Sequence, residues 1–271
     1  MYWIVTGDPR RCGCPEKEDG VMRLIVTEDY ARLSETAAEI FAAEVLLKPE
    51  SVLGLATGST PVGMYKALAR KAAEEGIDFS RVTTFNLDEY RGLSGDHPQS
   101  YRYFMEQNLF GPLALPRERT HIPDGTAADP GEEAARYEAA VEASGGVDIQ
   151  LLGIGGNGHI GFNEPDNHFP VRTHLTPLTE STVRANARFF DSMDEVPREA
   201  ITMGIGTILK SRRILLLASG EGKAEILWRS FYGPVTPQVP ASILQFHSDV
   251  WVIADRPATE VIAEREGLPH H

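Results

Sequence analysis

Cysteine is nearly missing from this chain. There are two in 271 residues, Cys12 and Cys14, both in the opening stretch RRCGCPEKEDG. Two thiols make half a zinc site and no second pair follows, so neither a structural metal nor a disulfide framework is expected to hold the protein together. A body free of disulfides suits a reducing compartment. No apolar run approaches the roughly 18 residues that span a bilayer, and the N-terminus lacks the charged-then-apolar profile of a secretory signal. The expected location is therefore cytoplasmic, with no membrane partner. Basic side chains are also scarce, 26 against 39 acidic, for a net charge of -13. Nucleic acids and anionic membranes select basic surfaces, so neither is expected as the main partner. A phosphorylated small molecule needs only one or two local cations and stays open. Internal repeats, low-complexity tracts and a recognisable linker are absent as well.

What remains is an ordinary globular composition, 42% hydrophobic and 24% charged, on a chain long enough to bury the core of one large α/β domain. Residues 1–21 read as a loose leader, with the single domain running over 22–271. Met22 opens a strand through Thr27, and Asp29 caps a helix whose apolar face carries Leu33, Ala37, Ile40, Phe41 and Val45. Short apolar runs at 51–56, 82–87, 148–152, 212–218 and 249–255 read as buried strands, each followed by a turn and a helical pattern. Strands alternating with helices predict a mostly parallel, Rossmann-like sheet covered on both faces.

The strand ends are where chemistry gathers. After the second strand comes TGSTPVG, with Thr57, Gly58, Ser59 and Thr60 leading into a helix N-terminus; backbone N–H groups and the helix dipole converge there on any phosphate. At the end of the third stand Asp88 and Glu89, adjacent carboxylates that serve as a solvated turn or, if one is desolvated, as a general base. The fourth strand breaks into GIGGNGHIGFNEP, where glycines let the backbone turn sharply around Asn157, His159, Asn163 and Glu164. A single histidine is more often structural than catalytic, so the loop and its neighbours have to decide the role of His159. Beyond the fifth strand, SGEGKAEIL places Lys223 in the first turn of a helix, against the dipole, where an opposing anion would account for it. In open α/β sheets ligands bind at the carboxyl ends of the strands, so these turns are expected to form one site. The stretch 166–191 loses clear periodicity and is read as a lid. Within it Arg188, beside Phe189 and Phe190, has two readings that stay open: a phosphate ligand, or a surface arginine packing its stem on aromatics.

These segments resemble the glucosamine-6-phosphate deaminase family. The matching motifs are LGLATGSTPVGMY, TFNLDEYRGLSGDHPQSY, LLGIGGNGHIGFNEP, VRANARFFD, TMGIGTIL and SGEGKAEIL, in order from about Met22 to about Pro257. The resemblance implies conversion of glucosamine 6-phosphate and water to fructose 6-phosphate and ammonia, with no metal and no redox cofactor. It implies that Asp88 is the base for enolisation, that His159 opens the sugar ring, and that Glu164 orients His159. Asn157 stands where some members carry aspartate, and a neutral amide cannot stabilise an imidazolium as a carboxylate does. Thr57, Gly58, Ser59 and Thr60, with Arg188 and Lys223, match the phosphate-binding set. Enteric members are hexamers activated by N-acetylglucosamine 6-phosphate through basic residues just after the NEP loop. This chain has His174 and Thr176 there, so weak or absent activation is expected, in a monomer or homo-oligomer. Two rivals are a 6-phosphogluconolactonase, which lacks the FNEP and NLDEY continuations, and a non-catalytic sugar-phosphate sensor, for which the leader is too short and the charge wrong.

Overall fold

The computed structural model describes residues 4–6, 21–187, 190 and 192–267. Two strands open the chain, β1 (Ile4–Thr6) and β2 (Val21–Thr27), before helix α1 (Tyr30–Leu47). β1 pairs antiparallel with β2 across Ile4↔Ile25, so three residues of the expected leader add an edge strand. Asp29 accepts a hydrogen bond from the backbone N–H of Arg32 and caps α1. Leu33, Ala37, Phe41 and Val45, four residues apart, are the buried stripe of that helix. Next come β3 (Val52–Leu55), α2 (Val62–Glu75), β4 (Thr83–Asn86), β5 (Asp88–Tyr90), α3 (Tyr101–Met105), β6 (Thr120–His121) and α4 (Pro130–Ala143). The second half holds β7 (Ile149–Leu152), β8 (His174–Pro177), α5 (Glu180–Asn186), β9 (Glu199–Thr202) and α6 (Ile205–Leu209). It closes with β10 (Arg213–Ala218), α7 (Ala224–Phe231), β11 (Asp249–Asp255) and α8 (Arg256–Glu266).

Eight strands form one sheet in the order β1-β2-β11-β10-β7-β3-β4-β6, and every pairing in it except β1 with β2 is parallel. β3 and β7 are buried along their whole length, which is why their sequences are apolar without alternation. From β3 the chain steps outward to β4 and β6. It then returns to lay β7 on the other side of β3 and steps away through β10 and β11. The strand order therefore reverses between β3 and β7, and in such sheets ligands bind at that reversal, beyond the carboxyl ends of the strands.

The second sheet is a finding beyond the sequence expectation. The strand read over 82–87 ends where expected, but Asp88 and Glu89, read as the turn or site residues after it, begin a second strand beyond a joint at Leu87. The Leu87 N–H donates to the Leu55 carbonyl of the parallel sheet, while its own carbonyl accepts from Met203. Past this joint, β5 pairs antiparallel with β9 and β9 with β8, giving a three-stranded sheet in the order β5-β9-β8. The stretch read as irregular after Pro165 thus contains a strand and a helix. β8 is a short edge strand, half-buried to exposed, and carries no clean alternation to read. Tyr90, Phe162, Leu178, Val183, Val196 and Ala200 form a separate apolar cluster under α5, with Phe190 packed against it.

Candidate active site

Four neighbouring strands, β10, β7, β3 and β4, bring the expected turns side by side on one edge of the sheet. Three contacts then tie those turns together across the strands. Lys223, after β10, donates from Nζ to the carbonyl of Ile154, after β7, at 2.7 Å. Thr57, after β3, lies near the Tyr101 side chain, which is close enough to Asp88 to feel its charge. Gly161, in the loop after β7, approaches Asp88 so closely that a Cβ there would lie 3.4 Å from Asp88 Oδ2 and 3.0 Å from Thr202 Oγ1. Its φ of +57° is a second reason for glycine at that position.

Asp88 is the first residue beyond the joint, paired in register with Thr202 and only 5% exposed. Among the described residues no donor reaches its carboxylate. Burial first, and the neighbouring Glu89 carboxylate second, push it up to about 8. Glu89 itself is 2% exposed, and its oxygens accept from the backbone N–H groups of Tyr90, Tyr101 and Arg102 at 2.8–2.9 Å. Burial raises it to about 7 in spite of those bonds.

The loop after β7 is folded onto itself and onto β9. The N–H of Gly155 donates to the His159 carbonyl and that of Gly158 to the Gly155 carbonyl. A Cβ on Gly155 would sit 2.3 Å from the imidazole Cε1, so glycine there makes the seat of the His159 ring. The Asn163 amide donates to the carbonyls of Ile160 and Met203, both at 2.9 Å, and the Phe162 N–H donates to Thr202 Oγ1. Held this way, His159 Nδ1 faces Glu164 Oε2 at 3.3 Å. Asn157 bridges the pair: its Nδ2 donates to the same carboxylate oxygen at 2.7 Å, and its Oδ1 accepts from the His159 N–H. The other oxygen, Oε1, accepts from Thr182 Oγ1 at 2.6 Å. Burial would lift Glu164, but His159, Thr182 and Asn157 outweigh it and bring the carboxyl down to about 2.

On the phosphate side, Gly58 (φ +104°) and Ser59 are exposed in the turn before α2, and Thr57 and Thr60 are half-buried. The Tyr30 hydroxyl lies 2.9 Å from the Thr60 carbonyl and accepts from the Gly63 N–H at 2.8 Å, so it fixes the shape of this turn. The turn after β10 is anchored by Asp255, whose carboxylate accepts from the Ser219 hydroxyl, from the Gly220 N–H and, as the cap of α8, from the Ala258 N–H. Lys223 differs from expectation. It precedes α7 rather than lying in its first turn, and the Ile154 carbonyl already holds its ammonium; burial lowers its pKa. Arg188 lies outside the described residues. Among the described residues no group of three or more His, Cys, Asp or Glu is placed to hold a metal, and no helix is long and apolar enough to cross a membrane.

Sequence reasoning missed Thr182 and Thr179, Thr202, and the part played by Glu89 and Tyr101. The TEST stretch carries a helix-cap signature, since Thr179 Oγ1 accepts from the Thr182 N–H. No local signal ties that cap to Glu164, fifteen residues earlier.

The family profile described as glucosamine-6-phosphate isomerases/6-phosphogluconolactonase matches residues 28–252. A glucosamine-6-phosphate deaminase of Clostridioides difficile (strain 630) is 54% identical over 245 residues, covering 90% of this chain and 98% of that protein. One of Halothermothrix orenii (strain H 168 / OCM 544 / DSM 9562) is 54% identical over 241 residues, 89% of this chain and 100% of that one. A solved structure of a monomeric glucosamine-6-phosphate deaminase superposes with a TM-score of 0.86 at 49% identity, covering 89% of this chain and 100% of that chain. A 6-phosphogluconolactonase from Trypanosoma cruzi gives 0.71 at 20% identity, covering 93% and 99%, which is a likeness of fold.

Proposed function

Since the chain belongs to the glucosamine-6-phosphate isomerase/6-phosphogluconolactonase family, and within it to the glucosamine-6-phosphate deaminases, we propose that Asp88 and the His159–Glu164 pair divide its reaction into two proton-transfer stages. The substrate enters as a closed ring that hides its carbonyl. His159, oriented by Glu164, moves a proton between the ring oxygen and the anomeric hydroxyl and frees the aldehyde. The C2 hydrogen is then acidic. Asp88 removes it and returns it to C1, and the resulting C2 imine takes up water and loses ammonia, leaving fructose 6-phosphate. A carboxylate raised toward neutral pH is a better base than an ordinary aspartate, and that is the task this step sets. The N–H groups of the turn at Thr57, Gly58, Ser59 and Thr60, with Lys223 and Arg188, hold the phosphate at the far end of the sugar, so both transfers occur in one bound orientation.

Asn157 sets the charge around Glu164 in this site. Where an aspartate would add charge, its amide donates to Glu164 and leaves that residue as the one ionised partner of His159. We infer a monomer, on the likeness to a monomeric deaminase. The observation that carries the two-stage reading is the closeness of Asp88 Oδ2 to Gly161, inside the loop that holds His159. The test is to incubate purified protein with glucosamine 6-phosphate and follow fructose 6-phosphate and ammonia together. Equal amounts of both are expected, formed about a hundred- to ten-thousand-fold more slowly by Asp88→Asn. Full activity in Asp88→Asn, or hydrolysis of 6-phosphogluconolactone in place of deamination, would sink it.

A further inference from the structure

We propose that Thr182, in the first turn of α5, is a positioning residue for the His159–Glu164 pair: its hydroxyl hooks the far oxygen of Glu164 and so sets how the near oxygen meets the imidazole. The proposal rests on the role given above to Glu164. A glutamate side chain has three rotatable bonds, and one anchor at Oε2 would leave the plane of the carboxylate free to swing. Two anchors remove that freedom. Asn157 Nδ2 holds Oε2 at 2.7 Å, and Thr182 Oγ1 holds Oε1 at 2.6 Å, within the short range of a hydroxyl bonded to an ionised carboxylate.

The Thr182 hydroxyl is itself aimed. It has one proton to give. Thr179 Oγ1 lies 3.0 Å from Thr182 Oγ1 and 3.4 Å from Glu164 Oε1, so the shorter path runs from Thr179 to Thr182 to the carboxylate, each bond polarising the next. Thr179 also caps α5 through the Thr182 N–H, so the relay and the helix start are built from the same two residues. What sets the distance between α5 and the loop is the small apolar cluster beneath them. Val183, next to Thr182 in α5, and Phe162, two residues before Glu164, are both buried in it, apart from the main core. A movement of α5 by about 1 Å would carry the hydroxyl out of hydrogen-bond range. The helix that covers the loop thereby reports its position to the ring-opening pair mainly through the Thr182 hydroxyl, with the Thr179 hydroxyl at longer range.

The experiment compares Thr182→Val, which keeps the shape and loses the hydroxyl, with Thr182→Ser, which keeps the hydroxyl. Each is measured for kcat, KM, Tm and the primary isotope effect with glucosamine 6-phosphate deuterated at C2. Thr182→Val is expected to lower kcat about tenfold, with KM within about twofold. Its isotope effect should fall toward unity, or stay there, because ring opening becomes the slower step; Thr182→Ser should restore both. A loss of folded protein alone would lower kcat and leave an isotope effect above unity where it was. That result, an isotope effect that rises, an unchanged kcat, or an equal defect in Thr182→Ser overturns the proposal. Glu164→Gln is run alongside. If it too leaves rate and isotope effect untouched, the role of Glu164 has failed; if it compresses the isotope effect and Thr182→Val does not, only the role of Thr182 has.

Discussion

Asp88 and Glu164 are two carboxylates withdrawn from water at the same edge of the same sheet, and their environments push them in opposite directions. The Asp88 residue is 5% exposed and the Glu164 side chain 9%. Depth alone would raise both. Asp88 receives no donor among the described residues and has Glu89 as its neighbour, so burial prevails and the group rises to about 8. Glu164 receives Asn157 Nδ2 and the Thr182 hydroxyl, faces His159, and falls to about 2. Between these two, His159 and the hydroxyl and amide donors offset the burial of Glu164, while nothing offsets that of Asp88. One strand end thus offers a base able to take a proton from carbon, and one loop offers a permanent anion that steers an imidazole.

Neutralising each carboxyl in turn should give opposite changes in stability, which is the sharpest way to break this contrast. For Asp88 the folded-state value lies above the ordinary 3.8. Below pH 3.8 both states are protonated and burial of the group costs little. As pH rises toward about 8 the unfolded chain ionises freely while the folded one resists, so the penalty grows across that window. Asp88→Asn removes the penalty. It should lower kcat by about a hundred- to ten-thousand-fold while raising Tm by about 5 °C or more at pH 8, and by far less at pH 4. Scanning calorimetry at the two pH values checks this, and a Tm that falls at pH 8 would show that Asp88 is not a penalised buried acid. In the unaltered protein kcat/KM should rise with pH through a limb well above the usual carboxylate range.

Glu164→Gln should do the reverse at smaller cost to activity. Its folded-state value lies below the ordinary 4.5, so its contribution to stability is fully present above pH 4.5 and is lost as pH falls toward about 2. The neutral variant should be less stable at pH 7 by roughly 1–2 kcal/mol, with the difference shrinking between pH 4.5 and 3. Its kcat should fall about a hundredfold, since His159 loses the charge that orients it. Urea melts at pH 7 and pH 3.5 read the first effect. A stability difference of equal size at both would mean that Glu164 acts by shape and not by charge.

Much of this contrast could be read from the sequence, for a physical reason. The buried parallel strands are uninterrupted apolar runs, and the turns that follow them must carry glycine and small polar residues if a ligand is to approach backbone. The LLGIGGNGHIGFNEP and NLDEY strand ends therefore stand out in the sequence alone. The expected strand at 249–255 matches β11, and Asp29 caps α1 as its side chain suggested. What stayed hidden is whatever depends on pairing between distant short segments. The split at Leu87, the antiparallel sheet that continues through β9 and β8, and the hydroxyl relay from Thr179 and Thr182 to Glu164 leave no periodicity, because strands of three or four residues and single hydroxyls are too brief to make a pattern. Lys223 was legible as a cation in an odd place, but the Ile154 carbonyl that holds it could not be inferred from spacing.

The smallest expected effect tests Asn157, the least of the partners that bring Glu164 down. Asn157→Asp exchanges the Nδ2 donor, 2.7 Å from Glu164 Oε2, for a second carboxylate oxygen aimed at the first. Two carboxylates at that separation cannot both stay ionised at little cost, so the pair should either share a proton or move apart. The Asn157 Oδ1 that accepts from the His159 N–H has a counterpart in aspartate, so the loop should keep its fold. Activity near pH 7 should then drop by roughly tenfold, the size expected when one charge-assisted hydrogen bond becomes a repulsion. A new acid limb should appear in kcat above pH 4, where Glu164 in the unaltered protein is already fully ionised. A pH profile of kcat decides between the alternatives: an unshifted limb with full activity would mean that the amide is interchangeable with a carboxylate, and that Glu164 owes its low value to His159 and Thr182 alone.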